Sequence, residues 1–494
     1  MTSPSPVFPG SAATSATADS TVPADARPCP ECGAPLTSDP RFVEWCPSCE
    51  WGALPKAPPA NTRRDRLNRR FNRGLEQRLF NRVVTGGNGR RRSAPGGTDL
   101  VVFLLAGFIH LVTVALFAAG LALLLQPPWP VQTLGVLLVA VGCLFRPRLG
   151  PGRRSLRKLT VLERSAAPTL YALADRVAAE VGTTPAAVIA VDGRHNASYH
   201  RVGLRREVVL TLGLPLWETL TPEQRLALLG HEFGHGANGD FRRSLWVGSA
   251  LRSLQEWYYL LSPGAGPYGR RSGGRAGRGL VTSGTAVAAV VLAVFAALVL
   301  LFHRLLTRLT ALSSRRGEYL ADGFAVRVAA NDAAEGLLEM LTLGSSVDHV
   351  VRRRRLNAKP VRRSRAGAGA GRVPVPAAVP RPANEYQPIR RPAETVTTPA
   401  RPAQPAAADL WTELRSYIAS IPQSERARRL VASRLEETAV DASHPPTHLR
   451  TAYVRQLPQA APAIVLTTAE VRAIDAELAP LRAALALHLD GKSA

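Results

Sequence analysis

The sequence predicts an α+β protein that is mostly α-helical, with helical transmembrane segments and a small strand hairpin. Residues 101–126 are apolar, carry no formal charge and are long enough to cross a bilayer. Residues 195–203 and 207–215 have the pattern of two strands joined by a polar turn, and residues 186–193 that of a third, short strand. The amphipathic stretch 167–182 predicts a helix that Gly182 terminates.

The composition points to an anionic partner. The 494 residues include 62 Lys and Arg against 37 Asp and Glu, a formal net charge of +25. This balance is typical of proteins that bind nucleic acid or the cytoplasmic face of a membrane, and the apolar runs favour the membrane. We therefore expect a lipid bilayer with an anionic cytoplasmic face as a partner, and no nucleic acid. The N-terminal sequence lacks the basic start and apolar core of a signal peptide.

A transmembrane hairpin is expected over residues 100–146. Residues 131–145 are apolar throughout and follow the first span after a proline-rich turn. Arginine-rich sequence flanks both ends of the hairpin, so the positive-inside rule places both ends in the cytoplasm.

A basic amphipathic helix is expected before this hairpin. Residues 63–92 contain eleven Arg and two acidic residues, and Leu67, Phe71, Leu75 and Leu79 recur at every fourth position. On a helix these four side chains share one face, which favours a helix lying on anionic lipid. The alternative is a solvated linker helix.

Two Cys-x-x-Cys pairs near the N-terminus predict a structural zinc site. The pairs are thirteen residues apart, close to the spacing of a zinc ribbon, and four thiolates suit a tetrahedral ion. So small a module needs its metal in order to fold. We expect it to dock a substrate or a partner protein, with Trp45 and Trp51 either binding that partner or covering the small core. The four cysteines are Cys29, Cys32, Cys46 and Cys49.

The segment LLGHEFGHGANGD, residues 228–240, has the pattern of a catalytic zinc centre. His231 and His235 lie on one face of a helix, and Glu232 has the place of a general base acting on zinc-bound water. Thr221, Pro222 and Gln224 predict a capping box that starts this helix.

The third zinc ligand is either Glu318 or one of the remaining histidines. Glu318 is favoured, because Asp322 follows it on the same helical face and can accept the free ring N–H of a ligating histidine. The alternative for Glu318 is an ordinary acidic residue on a helix surface.

The motifs HEFGHGANGD, SRRGEYLAD and SHPPTHLRTAYVRQL together resemble the membrane-bound gluzincin metallopeptidases that include HtpX and the CAAX prenyl proteases. The resemblance covers residues 100–350 and 443–457. It implies an integral membrane, zincin-like protease domain and a zinc endopeptidase that acts on membrane or misfolded proteins. The residues that match the family's zinc ligands are His231, His235 and Glu318; Glu232 matches the catalytic base, and Asp322 the residue behind a ligand.

Three further residues are candidates for contacts with the substrate. The strand that contains Asn196 and Ala197 is expected to hold an extended peptide at an open sheet edge. His444 either stabilises the oxyanion, occupies the open zinc position in a resting state, or is a loop histidine before Pro445. In total we expect two zinc ions per chain, one catalytic and one structural.

The zinc ligands constrain the membrane topology. His235 and Glu318 must lie in one compartment, so the chain between them crosses the membrane an even number of times. Residues 242–262 therefore cross together with 280–302, or neither segment fully spans. Arg252 and Glu256 within the first segment favour a bent or shallow hairpin, although their four-residue spacing allows them to pair.

In this interpretation the N-terminus and the active site are cytoplasmic, in a bacterial-type plasma membrane. The main hypothesis is a membrane-bound zinc endopeptidase, and the alternative is a catalytically silent membrane adaptor that recruits partners through its ribbon and basic segments. The expected segments are a disordered tail (1–28), the zinc ribbon (29–52), a basic linker with the amphipathic helix (53–99), the transmembrane hairpin (100–146), the metallopeptidase domain with membrane segments 242–262 and 280–302 (147–350), a disordered Pro/Ala/Arg-rich segment (351–408) and a C-terminal helical part that completes the peptidase domain (409–494).

Overall fold

Helices around one small sheet make up the architecture of this computed structural model. It describes residues 27–36, 39–54, 74, 76–85, 97–146, 156, 159–203, 206–238, 240–262, 283–358, 409–435 and 444–489. The N-terminal half contains α1 (76–85), α2 (Gly97–Leu124), α3 (Trp129–Leu144), β1 (Thr160–Leu162), α4 (Pro168–Val181), β2 (Val188–Asp192), β3 (Ala197–Val202), β4 (Glu207–Gly213), α5 (Leu214–Trp217) and α6 (Pro222–Ala237).

The remaining elements are all helices. They are α7 (Asp240–Leu261), α8 (Ser283–Ala329), α9 (Asn331–Leu341), α10 (Gly344–Ala358), α11 (Leu410–Ala419), α12 (Gln423–Leu435), α13 (Thr447–Gln456) and α14 (Thr468–Leu489). The expected tail at 1–28 lies outside the described residues except for its last two. Of the expected disordered segment, residues 351–358 belong to α10 and 359–408 lie outside the described residues.

The sheet has the strand order β1-β2-β4-β3, so β3 forms one edge of it. β2 and β4 are parallel, whereas β3 and β4 form the predicted antiparallel hairpin, with Ala197 opposite Leu212. The inward side chains, such as Ile189 and Leu210, belong to the main core together with residues of α4 and α6. The three-residue strand β1 was not predicted, because so short a segment has no distinct alternation.

The helices that flank the sheet begin and end where their local signals predict. Gly182 terminates α4 in the left-handed conformation, with φ of 76°. The Thr221 side chain accepts a hydrogen bond from the backbone of Gln224, and the Gln224 side chain accepts one from the backbone of Thr221. The predicted capping box at the start of α6 is therefore confirmed.

Helices α6 and α8, which carry the candidate metal ligands, cross in close contact. A Cβ added at Gly234 would lie 3.1 Å from Ala321, and one at Gly230 would lie 3.1 Å from Ala325. The two glycines are four residues apart and face α8, so the helix backbones approach closely. The 47-residue helix α8 carries both the apolar segment and the candidate third ligand.

The apolar half of α8 packs with α2 and α7 in a separate cluster. Its buried residues include Ile109, Leu254 and Leu306, one from each helix. The outward side chains are also apolar, as at Leu104 and Val290, each 63% exposed. Two described helices, α2 over Asp99–Leu124 and α8 over Val290–Ala329, are long and apolar enough to cross a membrane.

The second helix of the expected hairpin is shorter. α3 has 16 residues, about 24 Å of helix, against a hydrocarbon thickness of about 30 Å. Thr113, near the middle of α2, donates a hydrogen bond to the backbone carbonyl of Phe145, just after α3. The hairpin is present, but α3 returns only about half way along α2.

The described part of the basic helix, α1, packs on protein. Phe80 is buried against Tyr319 of α8, and Leu79 packs against the same cluster. This differs from the expectation that the helix lies on lipid, since an apolar helical face does not specify what covers it. The side chains of Leu67, Phe71 and Leu75 lie outside the described residues.

The cysteine module contacts the C-terminal helices. Arg41 donates hydrogen bonds to the hydroxyl (2.9 Å) and carbonyl (2.8 Å) oxygens of Ser420, after α11. Arg428 of α12 donates to the carbonyl of Ala53 at 2.6 Å, and Arg434 forms an ion pair with Glu50.

Candidate active site and metal centres

Helix α6 presents two imidazoles at the crossing with α8 and carries a buried carboxylate, Glu232, next to the first of them. The ring centroids of His231 and His235 are 4.9 Å apart, with the rings nearly perpendicular. His231 is 6% exposed and Glu232 8% exposed, so both side chains are buried. Their burial follows from the position of α6, between the sheet and α8.

Glu318 of α8 faces both histidines. Its two carboxylate oxygens lie 3.6 Å from Nε2 of His231 and 3.6 Å from Nε2 of His235. The ligand atoms of these three residues are all within 4.8 Å of one another. Two imidazole nitrogens and one carboxylate are the donors of many catalytic zinc sites, and a three-ligand set leaves one position for water. The residues therefore fit a zinc ion.

Asp322 lies directly behind His231. Its Oδ1 is 3.0 Å from Nδ1 of His231, so the carboxylate can accept the N–H of the nitrogen that faces away from Glu318. Such a hydrogen bond fixes the tautomer that leaves Nε2 free to bind a metal. The structure thus brings together the three candidate ligands and Asp322 behind them.

Arg450 of α13 holds this arrangement and had no role in the sequence analysis. Its guanidinium donates two hydrogen bonds to Asp322, at 2.8 and 2.6 Å, and its Nη1 is 3.4 Å from Glu318. Burial raises the pKa of Asp322, but the charge and hydrogen bonds of Arg450 outweigh it and lower the pKa overall. The only signal in the sequence was the arginine of the late SHPPTHLR motif.

His444 reaches the site from the segment before α13. Its Nδ1 lies 3.0 Å from Oε2 of Glu318, and its side chain is 66% exposed. Burial of Glu318 raises the pKa of this carboxyl, whereas the hydrogen bond from His444 and the charge of Arg450 lower it well below its usual range. A position beside the ligand set with one side open to solvent suits a residue that meets the substrate.

The edge strand passes beside α6. Tyr199 of β3 packs edge-on against Phe233, with ring centroids 5.3 Å apart. Asn196 is exposed immediately before β3, and Ala197 begins the strand. Among the described strands, β3 has a neighbour on one side alone, so its other side can pair with an extended chain.

His200 of β3 is a further residue near the site that the sequence analysis missed. Burial lowers the pKa of His200, and the nearby charge of Glu232 opposes that shift. The residue precedes the recognised motif by some thirty positions, and its place in a strand gave no signal of proximity to α6.

The four N-terminal cysteines form a second cluster. Sγ of Cys29 is 3.5 Å from that of Cys49, and Sγ of Cys32 is 3.5 Å from that of Cys46. All four sulfurs lie within 4.8 Å of one another, which fits a tetrahedral ion. Hydrogen bonds from the backbone of Cys49 and Ser48 lower the pKa of Cys46 to about 6, which favours its thiolate, whereas burial and the neighbouring thiols raise the pKa of Cys49 to about 12.

The aromatic residues of this module cover its interior. Trp45 is 4% exposed, and Trp51 packs against the cysteine cluster. Their positions favour the covering role over the binding role.

One family model matches the chain. The model of Peptidase family M48 matches residues 165–457, which is more than half of the chain and runs from just before α4 to just after α13. No curated protein and no solved structure matches the chain at a significant level. The cysteine module, α1, α2 and α3 lie outside the matched range.

Proposed function

The chain belongs to peptidase family M48, which implies a metallopeptidase, and we propose that it is a membrane-bound zinc endopeptidase. The observation that carries the proposal is the convergence of His231, His235 and Glu318 next to Glu232. A general base beside a complete ligand set supports catalysis, because a silent adaptor needs neither. The cysteine cluster supports a second, structural zinc ion.

The proposed mechanism assigns one task to each residue. Zinc, when bound by His231, His235 and Glu318, supplies a Lewis acid that lowers the pKa of water and polarises a carbonyl. Glu232 accepts a proton from the attacking water as it adds to the scissile carbonyl. The same carboxyl then donates that proton to the leaving amine nitrogen. His444, on the open side of the site, donates a hydrogen bond to the developing oxyanion.

The substrates we propose are membrane or misfolded proteins. An endopeptidase must hold the main chain of its substrate in an extended form, and the edge strand β3 next to α6 supports this mode of binding. Folded proteins rarely offer such a segment, whereas unfolded chains do. In this proposal Asn196 and Ala197, at the start of β3, contact the bound peptide.

We also propose that α7 and α8 cross the bilayer as a hairpin with α2. α7 is 22 residues long, about 33 Å, and it packs against both α2 and α8. Two crossings return the chain to one side, as the ligand set requires. α7 is long enough to cross, but of the described helices α2 and α8 alone are also apolar enough, so a full crossing by α7 requires Arg252 and Glu256 to pair within the bilayer. The basic flanks of the first span support a cytoplasmic site.

Substitution of the base separates the peptidase from the silent adaptor. In Glu232→Gln we expect zinc to remain and cleavage of unfolded casein to fall about 10²- to 10⁴-fold, since the general base is lost. The assay uses full-length protein in detergent, with zinc content measured in parallel.

The matched control is Glu223→Gln, an exposed acidic residue in the first turn of the same helix. It should cleave casein at the wild-type rate. Equal cleavage by wild type and Glu232→Gln, with zinc bound in both, would refute the assignment of the base. Absence of cleavage in both would leave the adaptor.

A further inference from the structure

Helix α1 lies across the seam between α8 and α13. Its buried Phe80 belongs to one cluster with Tyr319 of α8 and Tyr453 of α13. Leu79, Val83 and Val84 pack against the same cluster, so the apolar face of α1 contacts both helices. These two helices carry the residues that must meet at the metal centre.

An ion pair fixes α1 to α8. Glu76 pairs with Arg315, and their side chains are only 6% and 3% exposed. Charges that are buried to this extent cost free energy unless they are paired, and removing one partner leaves the other uncompensated. Arg315 is one helical turn before Glu318, so the ion pair determines where this turn of α8 lies.

An aromatic ladder extends from α1 to α13. The ring centroids of Phe80 and Tyr319 are 6.1 Å apart, and those of Tyr319 and Tyr453 are 5.4 Å apart, both pairs edge-on. Tyr453 is one helical turn after Arg450. The α1 contacts therefore reach Tyr319, the residue next to Glu318 on α8, and Tyr453, one turn from Arg450 on α13.

We propose that Glu76 and Phe80 of α1 are positioning residues of the metal centre. They hold α8 and α13 together so that Arg450 meets both Asp322 and Glu318. This inference rests on the proposed function of the site. It assigns a role in catalysis to the segment before the first span. That segment lies outside the residues that the family model matches.

The test uses full-length protein in detergent. It measures kcat and KM with unfolded casein as the substrate, and zinc affinity by competition with a chelator. For Glu76→Gln we expect kcat and zinc affinity to fall by about 10-fold, the lower limit for losing a direct hydrogen-bond partner of a ligand, because Glu76 acts through Arg315. KM should change less than twofold, because the described apolar contacts of α1 are with α8 and α13 and not with β3. The charge-swapped double variant, Glu76→Arg with Arg315→Glu, should recover kcat above either single variant.

Two further variants complete the test. Asp175→Asn removes a surface ion pair with Arg164, far from this seam, and should behave as wild type. Phe80→Leu keeps an apolar side chain and should lower kcat without unfolding the protein, which provides the comparison if Glu76→Gln does not fold.

Unchanged kcat in both Glu76→Gln and Phe80→Leu would overturn the positioning role. Loss of activity in proportion to loss of folded protein, without recovery in the double variant, would also overturn it. Absence of zinc and of cleavage in the wild type would instead refute the proposed function itself.

Discussion

Arg450 is the residue on which the geometry of the metal centre depends. It is 6% exposed, and its charge is matched by Asp322 and Glu318, which face His231. Burial lowers the pKa of the guanidinium, but Asp322 outweighs that effect and raises it. The cation therefore stays charged and keeps both carboxylates ionised, as a ligand and its supporting residue require.

Substitution of Asp322 tests this arrangement at the scale of one residue. Asp322→Asn should lower zinc affinity about 10- to 100-fold, because a neutral amide is a weaker acceptor for His231 and Arg450 loses its counter-charge. Competition with a graded chelator measures the change. Asp332→Asn, an exposed acidic residue on α9, is the control and should keep wild-type affinity. Equal affinity in the two variants would show that Asp322 does not support the ligand.

At the scale of elements, the close crossing of α6 and α8 brings the ligands together. Gly230 and Gly234 remove the side chains that would separate the helices, and the facing positions Ala321 and Ala325 are also small. Larger residues at the crossing would move Glu318 away from His231 and His235.

Gly234→Val should therefore abolish zinc binding at the catalytic site while α6 remains helical. The added side chain would begin 3.1 Å from Ala321 and Phe324, too close for an unshifted α8. Zinc content and the helical circular dichroism signal report the two effects. The control is Gly323→Ala on α8, whose new methyl meets only the Tyr453 hydroxyl, at 3.5 Å. Full zinc content in Gly234→Val would contradict this account of the crossing.

Local signals made α6 predictable, since its capping box and its two histidines lie within one short segment. Glu318 was found because Asp322 follows it at helical spacing. Arg450 was not assigned a role, because its contact with Asp322 joins positions 128 residues apart and no local pattern reports it. The amphipathic face of α1 was recognised, but amphipathicity is the same whether lipid or protein covers it.

At the scale of the whole molecule, the N-terminal cysteine module packs against the C-terminal helices. The cysteine module contacts the end of α11 through Arg41 and contacts α12 through Arg428. Helix α12 precedes the segment that leads to His444. The described contacts of the module are thus with its own chain, and docking of a second protein on it stays a prediction.

The membrane arrangement has a direct test. A single-cysteine probe is unsuitable, because a background that keeps the four N-terminal cysteines is not cysteine-free. An epitope tag inserted between residues 263 and 282 is the suitable probe. We expect the tag to be accessible from outside intact cells, with a tag at the N-terminus accessible only after permeabilisation. Protection of both tags in intact cells would contradict full crossings and favour the shallow hairpin.

Zinc stoichiometry by elemental analysis tests the central claim most directly. The account predicts about two zinc ions per wild-type chain, one bound by the cysteine cluster and one by the His231, His235 and Glu318 set, as the two donor sets imply. Glu318→Ala should retain only the ribbon ion, and Cys46→Ser only the catalytic ion. If Glu318→Ala bound as much zinc as the wild type, this result would contradict the claim that these three residues form a catalytic zinc centre.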